Sequence, residues 1–293
     1  MRPAPHLVSE AAACESWNIS TYSGCDIACT YCIVNAQGRS VPLYAADEVA
    51  ARLRSELDDF ADPPRLIVGA YGDGYPSVEP RYRVTRVALE VLVERDLEFQ
   101  VVTKGAGVVL DTDLFQSHSR GHLNISLCSL DEGAIAEIDP GAPTASHRLA
   151  VIQHMVDAGV RVRVQIAPWI PGITDVDLLL ARLDATVGVQ ITPLRVPPYL
   201  QSTPLGRAFT QTEINEAYQR EYVRVGPRPN VRWARPPALD GAPPHLDHNL
   251  GSPKPSDWTP APASPKAGVD AAVMRRRERG IRVELLRRHP VKG

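Results

Sequence analysis

Apolar and polar positions along this chain follow two alternating periods. Short runs with β-branched residues are separated by stretches whose apolar residues recur every three or four positions, as on one face of a helix. Ser16–Tyr22 (SWNISTY) suits a first strand. Asp47 stands where an N-cap belongs, and Glu48–Phe60 carries Val49, Leu53 and Leu57 at helical spacing. Arg65–Ala70 (RLIVGA) is an apolar run of the buried-strand type. A helix at Tyr82–Arg95, with Val84, Val87, Ala88, Val91 and Leu92 on one face, is followed by a strand at Leu97–Thr103. A short helix at Asp111–His118 and a strand at Leu123–Leu127 come next. Thr144–Ala158 reads as a helix through Leu149, Ile152, Met155 and Val156, with Gly159 as its C-cap. In Val160–Ala167, Arg161, Arg163 and Gln165 alternate with Val162, Val164 and Ile166, the period of a strand. A helix from Asp175 to Thr186 and a strand at Val189–Thr192 close the series.

Strands alternating with helices predict βαβ units and a parallel sheet, an α/β fold. Six such units fit before Arg195, too few for a closed eight-unit barrel, so the expectation is an open, TIM-like partial (β/α)6 barrel. Residues 1–195 would form it. Residues 196–293 would be an irregular, proline-rich C-terminal segment packed over or beside its mouth. Pro197-Pro198, Pro236-Pro237 and Pro243-Pro244 exclude regular helix and central strand there; one helix is expected at Thr212–Arg224. Ala271–His289 could form a terminal helix and strand, and Arg275-Arg276-Arg277 reads as a solvated helix face before it reads as a phosphate site. In such sheets, chemistry gathers at the C-terminal ends of the strands.

With 293 residues and a net charge of −2, the chain has no global field favouring nucleic acid or membrane. Met1–Glu10 lacks an apolar core, and no apolar run approaches the roughly 20 residues of a membrane helix. The expectation is a cytoplasmic protein. Five cysteines, an odd number, make a poor disulfide framework, and three of them crowd into Cys25-x-x-x-Cys29-x-x-Cys32. A closed zinc site or a fully ligated cubane wants four protein ligands. Zinc would need a distant fourth ligand, since no histidine lies between Cys14 and His118. Three thiolates on one loop, directly after the first strand, leave a metal corner open for chemistry. This spacing resembles that of the radical S-adenosylmethionine (SAM) enzymes. The resemblance implies a [4Fe–4S] cluster on Cys25, Cys29 and Cys32, with SAM chelating the fourth iron.

Other loops extend the likeness. Tyr31 either packs the cysteine loop or stacks on the adenine of SAM. The loop Ala70–Glu79 (AYGDGYPSVE) has Gly72 and Gly74, which let backbone approach a ligand closely. Lys104 ends a strand, where it is either solvated or a point cation for a carboxylate. Ser126 could add a hydroxyl, and Cys128 shares its strand face as either a small buried hydrophobe or a hydrogen-atom donor. In order, Asp73, Tyr75 and Glu79, Thr85-Arg86 with Leu89-Glu90, Thr103-Lys104, Asp111-x-Asp113, Ser126, Pro140, Arg148 and Ala167-Pro168-x-x-Pro171-Gly172-Ile173-Thr174-Asp175 resemble the spore photoproduct lyase-like branch. The likeness runs from about Ile19 to Leu194. It implies SAM contacts from Tyr31, Gly72, Asp73, Lys104, Ser126 and Ala167, with Lys104 and Ser126 on the SAM carboxylate. Tyr75 and Cys128 are the candidates to quench a substrate radical.

The implied activity is reductive cleavage of SAM to a 5′-deoxyadenosyl radical, which abstracts hydrogen from a substrate. The lyase carries a hydrogen-donating cysteine near the second-strand loop, where Ala70, Tyr71 and Gly72 offer none. With no basic-aromatic stripe either, the leading expectation is a small nucleoside or nucleotide-sugar in a biosynthetic pathway, with carbon–carbon bond formation. A carbon–carbon lyase or DNA-lesion repair is the alternative. A flavodoxin or ferredoxin would donate the electron. Two rivals lie outside enzymology: a plain iron–sulfur electron-transfer module, and a nucleic-acid binder using the terminal arginines.

Overall fold

The computed structural model describes residues 7–11, 16–22, 24–36, 46–61 and 65–236. Cys14, the stretch beyond residue 236 and the expected helix and strand at Ala271–His289 lie outside the described residues. The strands are β1 Val8–Ala11, β2 Ser16–Ile19, β3 Arg65–Val68, β4 Phe99–Thr103, β5 Gly121–Ser126, β6 Arg161–Trp169, β7 Gly188–Pro193 and β8 Val231–Trp233. They form one eight-stranded sheet whose spatial order is the chain order. β1 is antiparallel to β2, and every pair from β2 to β8 is parallel. This is the open α/β sheet expected from the alternation, extended by one strand at each end.

Helices lie between the strands. They are α1 Ile33–Ala36, α2 Ala46–Asp58, α3 Glu79–Tyr82, α4 Val84–Glu94, α5 Thr112–Ser117, α6 Glu132–Ile138, α7 Ala145–Asp157, α8 Val176–Leu180, α9 Pro204–Ala208 and α10 Gln211–Val225. A 3₁₀ helix at Ala106–Asp111 precedes α5. Val49, Leu53 and Leu57 are buried as their spacing predicts.

Four expectations change. Asp47 lies inside the first turn of α2, where its charge suits the helix dipole rather than capping it. The single helix expected at Tyr82–Arg95 is broken at Arg83, which takes a left-handed φ of 54°. The buried Glu79 carboxylate explains the break: it accepts N–H bonds from Thr85 and Arg86, capping α4 from the preceding turn, and the Tyr22 hydroxyl donates to it as well. The helix expected at Asp175–Thr186 stops at Leu180, where the chain tightens into turns with Arg182 N–H on Leu179 O and Leu183 N–H on Leu180 O, and Asp184 then takes the N–H and hydroxyl of Thr186. Past Arg195 the chain is more regular than its prolines suggest. α10 begins with a reciprocal Thr210–Glu213 capping box, and the Tyr218 hydroxyl donates to Ile191 O (2.7 Å) and Ala234 O (3.1 Å), tying β8 to β7.

The two faces of the sheet differ in kind. One register row runs Val68, Val101, Leu123, Val162 and belongs to the apolar core under the helices. The alternate face carries Gln100, Asn124, Ser126, Gln165 and Gln190, polar yet each at most 7% exposed. A parallel sheet covered on both faces would read as continuous apolar runs. The polar face is the concave side of an open barrel, and it sets the lining of any molecule bound there.

α6 and α7 meet through a charged cap. The Glu132 carboxylate accepts N–H bonds from Ala145 and Ser146, both 2.9 Å. A hydrogen bond from the Ser146 hydroxyl is the main cause holding this carboxyl below the usual range. A depressed folded-state value gives stability that is present above the unfolded pKa, about 4.3, and is lost as pH falls through the folded value. Because Glu132 is exposed, Glu132→Gln is expected to cost at most about 1 kcal/mol at neutral pH. The difference from wild type should shrink toward zero on acidification. Urea unfolding midpoints across that pH range check it; a constant difference would show that charge plays no part.

Candidate functional site

β2 leads into the loop carrying Cys25, Cys29 and Cys32, on the rim where the parallel strands end. Ala28 adopts a left-handed φ of 54°, and the Cys32 N–H donates to Cys29 O at 3.1 Å, turning the loop back on itself. Cys29 is buried, and Cys25 and Cys32 are half-buried.

Two neighbouring segments brace this loop. On one side, the Ser77 N–H donates to Asp26 Oδ2 (3.0 Å). Gly72, at φ 125°, lies so close to Gly24 that a Cβ would sit 3.2 Å from its carbonyl oxygen. On the other side, the Gly141 N–H donates to Ile27 O (2.8 Å) and the Thr30 N–H to Ile138 O (2.9 Å). A Cβ on Gly141 would stand 2.3 Å from Asp26 O, so this contact requires glycine.

Beneath the loop lies a buried charge network. Asp139 is fully buried. It accepts the Tyr31 hydroxyl (2.9 Å) and pairs with Arg148 Nη1 (3.5 Å) and Lys104 Nζ (3.7 Å). Burial alone would raise its pKa; Lys104 and Arg148 outweigh this and hold the carboxyl below the usual range. Lys104 Nζ is 3.4 Å from Cys29 Sγ and 5.4 Å from the centre of the Tyr31 ring. Arg148 also donates to Ser126 O (2.8 Å), while its Nε and Nη2 have no partner among the described residues. The Tyr199 hydroxyl donates to Tyr31 O (3.2 Å), bringing the segment after β7 onto the same loop.

The donor set suits soft, thiolate-bound iron. Burial pushes the Cys25 and Cys29 thiols up to about 12, so a bound metal must deprotonate them outright. No three Cys, His, Asp or Glu side chains among the described residues converge on a single metal ion. A cubane gives each cysteine its own iron, so convergence on one point is not required.

The remaining predicted residues divide. Lys104, Ser126 and Ala167 fall at the strand-end rim: Lys104 directly follows β4, Ser126 ends β5, and Ala167 sits where the β6–β7 register shifts between Ile166 and Trp169. Such a bulge frees backbone groups from the ladder. Asp73 is used inside the fold. Its carboxylate takes the Thr103 hydroxyl and the N–H groups of Tyr75 and Lys104 (both 2.8 Å), fastening the Gly72 loop to the end of β4. Tyr75 donates to Asp111 Oδ2 (2.8 Å) beside Arg83 and Arg86, in the helical layer. Cys128 is buried, and Asp139, Lys104 and Arg148 all act on its thiol, which burial pushes up to about 12. Sequence reasoning missed Asp139, whose sole signal was an acid preceding Pro140-Gly141.

A profile described as the Radical SAM superfamily matches residues 19–183, more than half of the chain. An uncharacterized protein of Mycobacterium tuberculosis is 26% identical over 250 residues, covering 77% of this chain and 73% of that one. An uncharacterized protein of Methanocaldococcus jannaschii is 23% identical over 166 residues, and the match spans only 63% of its length. Among solved structures, spore photoproduct lyase complexed with dinucleoside spore photoproduct superposes with a TM-score of 0.59 at 16% identity, covering 79% of each chain. Streptococcus suis SuiB bound to S-adenosylmethionine gives 0.52 at 13% identity, over 74% of this chain and 49% of SuiB. At these identities the structural likeness speaks for the fold.

The bracing makes two substitutions informative. Asp139→Ala leaves Arg148 and Lys104 as buried charges without their carboxylate and is expected to cost about 3–5 kcal/mol in chemical denaturation. Gly141→Ala displaces the cysteine loop and should lower the iron bound after anaerobic reconstitution while far-UV circular dichroism stays native. Full iron loading of Gly141→Ala would show that this contact does not set the loop.

Proposed function

This chain belongs to the radical SAM superfamily, and from that membership we propose that it abstracts hydrogen from a small, nucleoside-type substrate to make a carbon–carbon bond. The observation that carries the reading is the three-cysteine loop at the mouth of a parallel barrel, with the Lys104 ammonium 3.4 Å from Cys29 Sγ. The family uses a [4Fe–4S] cluster and SAM, which together supply the electron and the carbon radical that begin the reaction.

The chain's own residues then divide the work. Cys25, Cys29 and Cys32 would hold the cluster, which would supply the electron for cleaving SAM. Lys104, which lies against Cys29 and Asp139, would turn toward the SAM carboxylate, to which Ser126 would add its hydroxyl. Ala167 offers backbone groups from the β6 bulge, and Gly72 keeps the neighbouring loop close. Asp73 positions that loop. Tyr31, anchored at its hydroxyl by Asp139, presents its ring beside the same space. Of the two candidates for returning hydrogen to the substrate, Cys128 adjoins this network, whereas the Tyr75 hydroxyl is committed to Asp111. A thiol held neutral by burial retains the S–H hydrogen that such a step needs.

Support for the substrate class is the likeness to the lyase whose structure holds a dinucleoside. The same likeness favours a second reading, a carbon–carbon lyase. An electron donor of the flavodoxin or ferredoxin type is part of the proposal. No described helix is long and apolar enough to cross a membrane.

Anaerobic reconstitution followed by dithionite and SAM tests the proposal. The wild type is expected to release 5′-deoxyadenosine, with a higher yield when the right nucleoside is added. A triple Cys25/Cys29/Cys32→Ala variant should bind no cluster iron and release none. Release by that variant would refute the cluster assignment, and a cluster-loaded wild type that neither binds nor cleaves SAM would point to an electron-transfer role. Cys128→Ala should divert turnover toward products lacking the returned hydrogen, read by mass spectrometry; an unchanged product profile would remove Cys128.

A further inference from the structure

The concave face of the sheet carries more than the rim uses. One register row crosses four strands as Ser126, Gln165, Gln190 and Arg232. The row beneath it runs Asn124, Arg163, Gly188. Gly188 lacks a side chain, and a Cβ there would lie 3.6 Å from Arg163 Nε, so the Arg163 guanidinium passes over β7 in the direction of Arg232.

Arg163 is half-buried, and the described structure gives it no hydrogen bond or ion pair. Burial first, and then the charges of Arg232 and Arg65, push its pKa down. His122, facing the same side, is likewise held down, by burial first and then by Arg161, Arg163 and Arg65. The acid near this group is Glu98, 3.8 Å from His122 Nε2. Gln100, fully buried and paired in register with His122, has neither amide atom bonded among the described residues. On this one face a buried carboxamide is left unbonded and Arg163 has arginines, not a carboxylate, acting on it, so the guanidinium lacks an anionic partner among the described residues.

We propose that this concave face is the substrate's anion subsite, in which Arg163 and Arg232 hold a phosphate or carboxylate of the substrate while its reacting carbon lies at the rim near Ser126. The proposal rests on the enzymatic reading above and gives its substrate a charge. Three strand spacings of about 4.8 Å separate Ser126 from Arg232 along the sheet, roughly 14 Å, which is the reach of a nucleotide or sugar acid. Guanidinium groups take oxyanions in bidentate fashion. Gln165 and Gln190 span the distance between, with amides that can bond neutral hydroxyl or carbonyl groups.

Calorimetric titration of the full-length protein with uridine 5′-monophosphate, gluconate and uridine tests this. Saturable binding of either anion, weakened roughly ten-fold or more in Arg163→Gln as expected for loss of a charged hydrogen-bonding partner, supports the subsite, and the anion that binds identifies its chemistry. The exposed control Arg182→Gln should bind as wild type. Equal binding by Arg163→Gln, or no saturable binding of either anion, would overturn the proposal. Without ligand, Arg163→Gln relieves like-charge repulsion and should melt no lower than wild type; a lower melting temperature would assign Arg163 a structural role instead. Release of 5′-deoxyadenosine by the wild type is read separately, so failure of the enzymatic reading would be visible there and would leave the anion result standing.

Discussion

One buried carboxylate holds the site together. Asp139 stands at the end of α6, yet its partners come from the cysteine loop, the end of β4 and α7: Tyr31, Lys104 and Arg148. Two cations and one anion leave this group with a net positive charge in a region that excludes water. Such an excess is costly in a folded protein and is sustained where a further anion belongs. A cluster carrying thiolate charge, with a carboxylate-bearing ligand beside it, answers that need. The charge balance and the implied chemistry therefore both call for an anion at this place, and the link runs through Lys104, which can serve Cys29, Asp139 or a ligand carboxylate by rotating a few side-chain torsions.

The cysteine loop has little regular structure of its own, and a metal site cannot rest on a loop that moves. Its rigidity is borrowed. Asp26 is tied to the loop after β3, and Ile27 and Thr30 to the end of α6 and the residues after it. The ties originate in two different βα units, so the loop takes its final shape only once the strands of both are in register. Folding of the sheet and assembly of the centre are in this sense one event. Gly141 and Gly72 are the points where that convergence is tightest, and both are glycines because another backbone already occupies the Cβ position or its surroundings.

The parallel core was legible because its strands obey period two and its helices bury the residues their spacing marks, as in α2 and α7. The cysteines and Lys104 stood out in the sequence because soft ligands and a rim cation are chemically specific, and the fold brings Lys104 Nζ to within 3.4 Å of Cys29 Sγ. What escaped lacks local signal. β1 and β8 are four and three residues long, and pairing with β2 and β7 decides them more than propensity does. The break at Arg83 depends on Glu79 reaching forward to Thr85 and Arg86, a tertiary arrangement that periodicity cannot express. Asp139 resembles any turn aspartate until α7 brings Arg148 to it. Asp73 and Tyr75 were read as ligand-facing, and the fold turns both to holding its own loops.

An incomplete barrel has a consequence for the residues inside it. A closed eight-stranded barrel fills its interior with branched apolar side chains, whereas here the inner face keeps buried amides, with the half-buried Arg163 beside them. Polar groups so placed lose water without gaining enough partners, as the bare Gln100 amide shows, and each such group costs on the order of 1–3 kcal/mol. The convex face supplies the offset: Val68, Val101, Leu123, Val164 and Ile191 are all fully buried under the helices. Stability is thus concentrated on one side of the sheet so that the other can stay polar and incompletely satisfied. That asymmetry explains why arginines alternate with valines in β6, and why the same strand ends in a bulge at the rim.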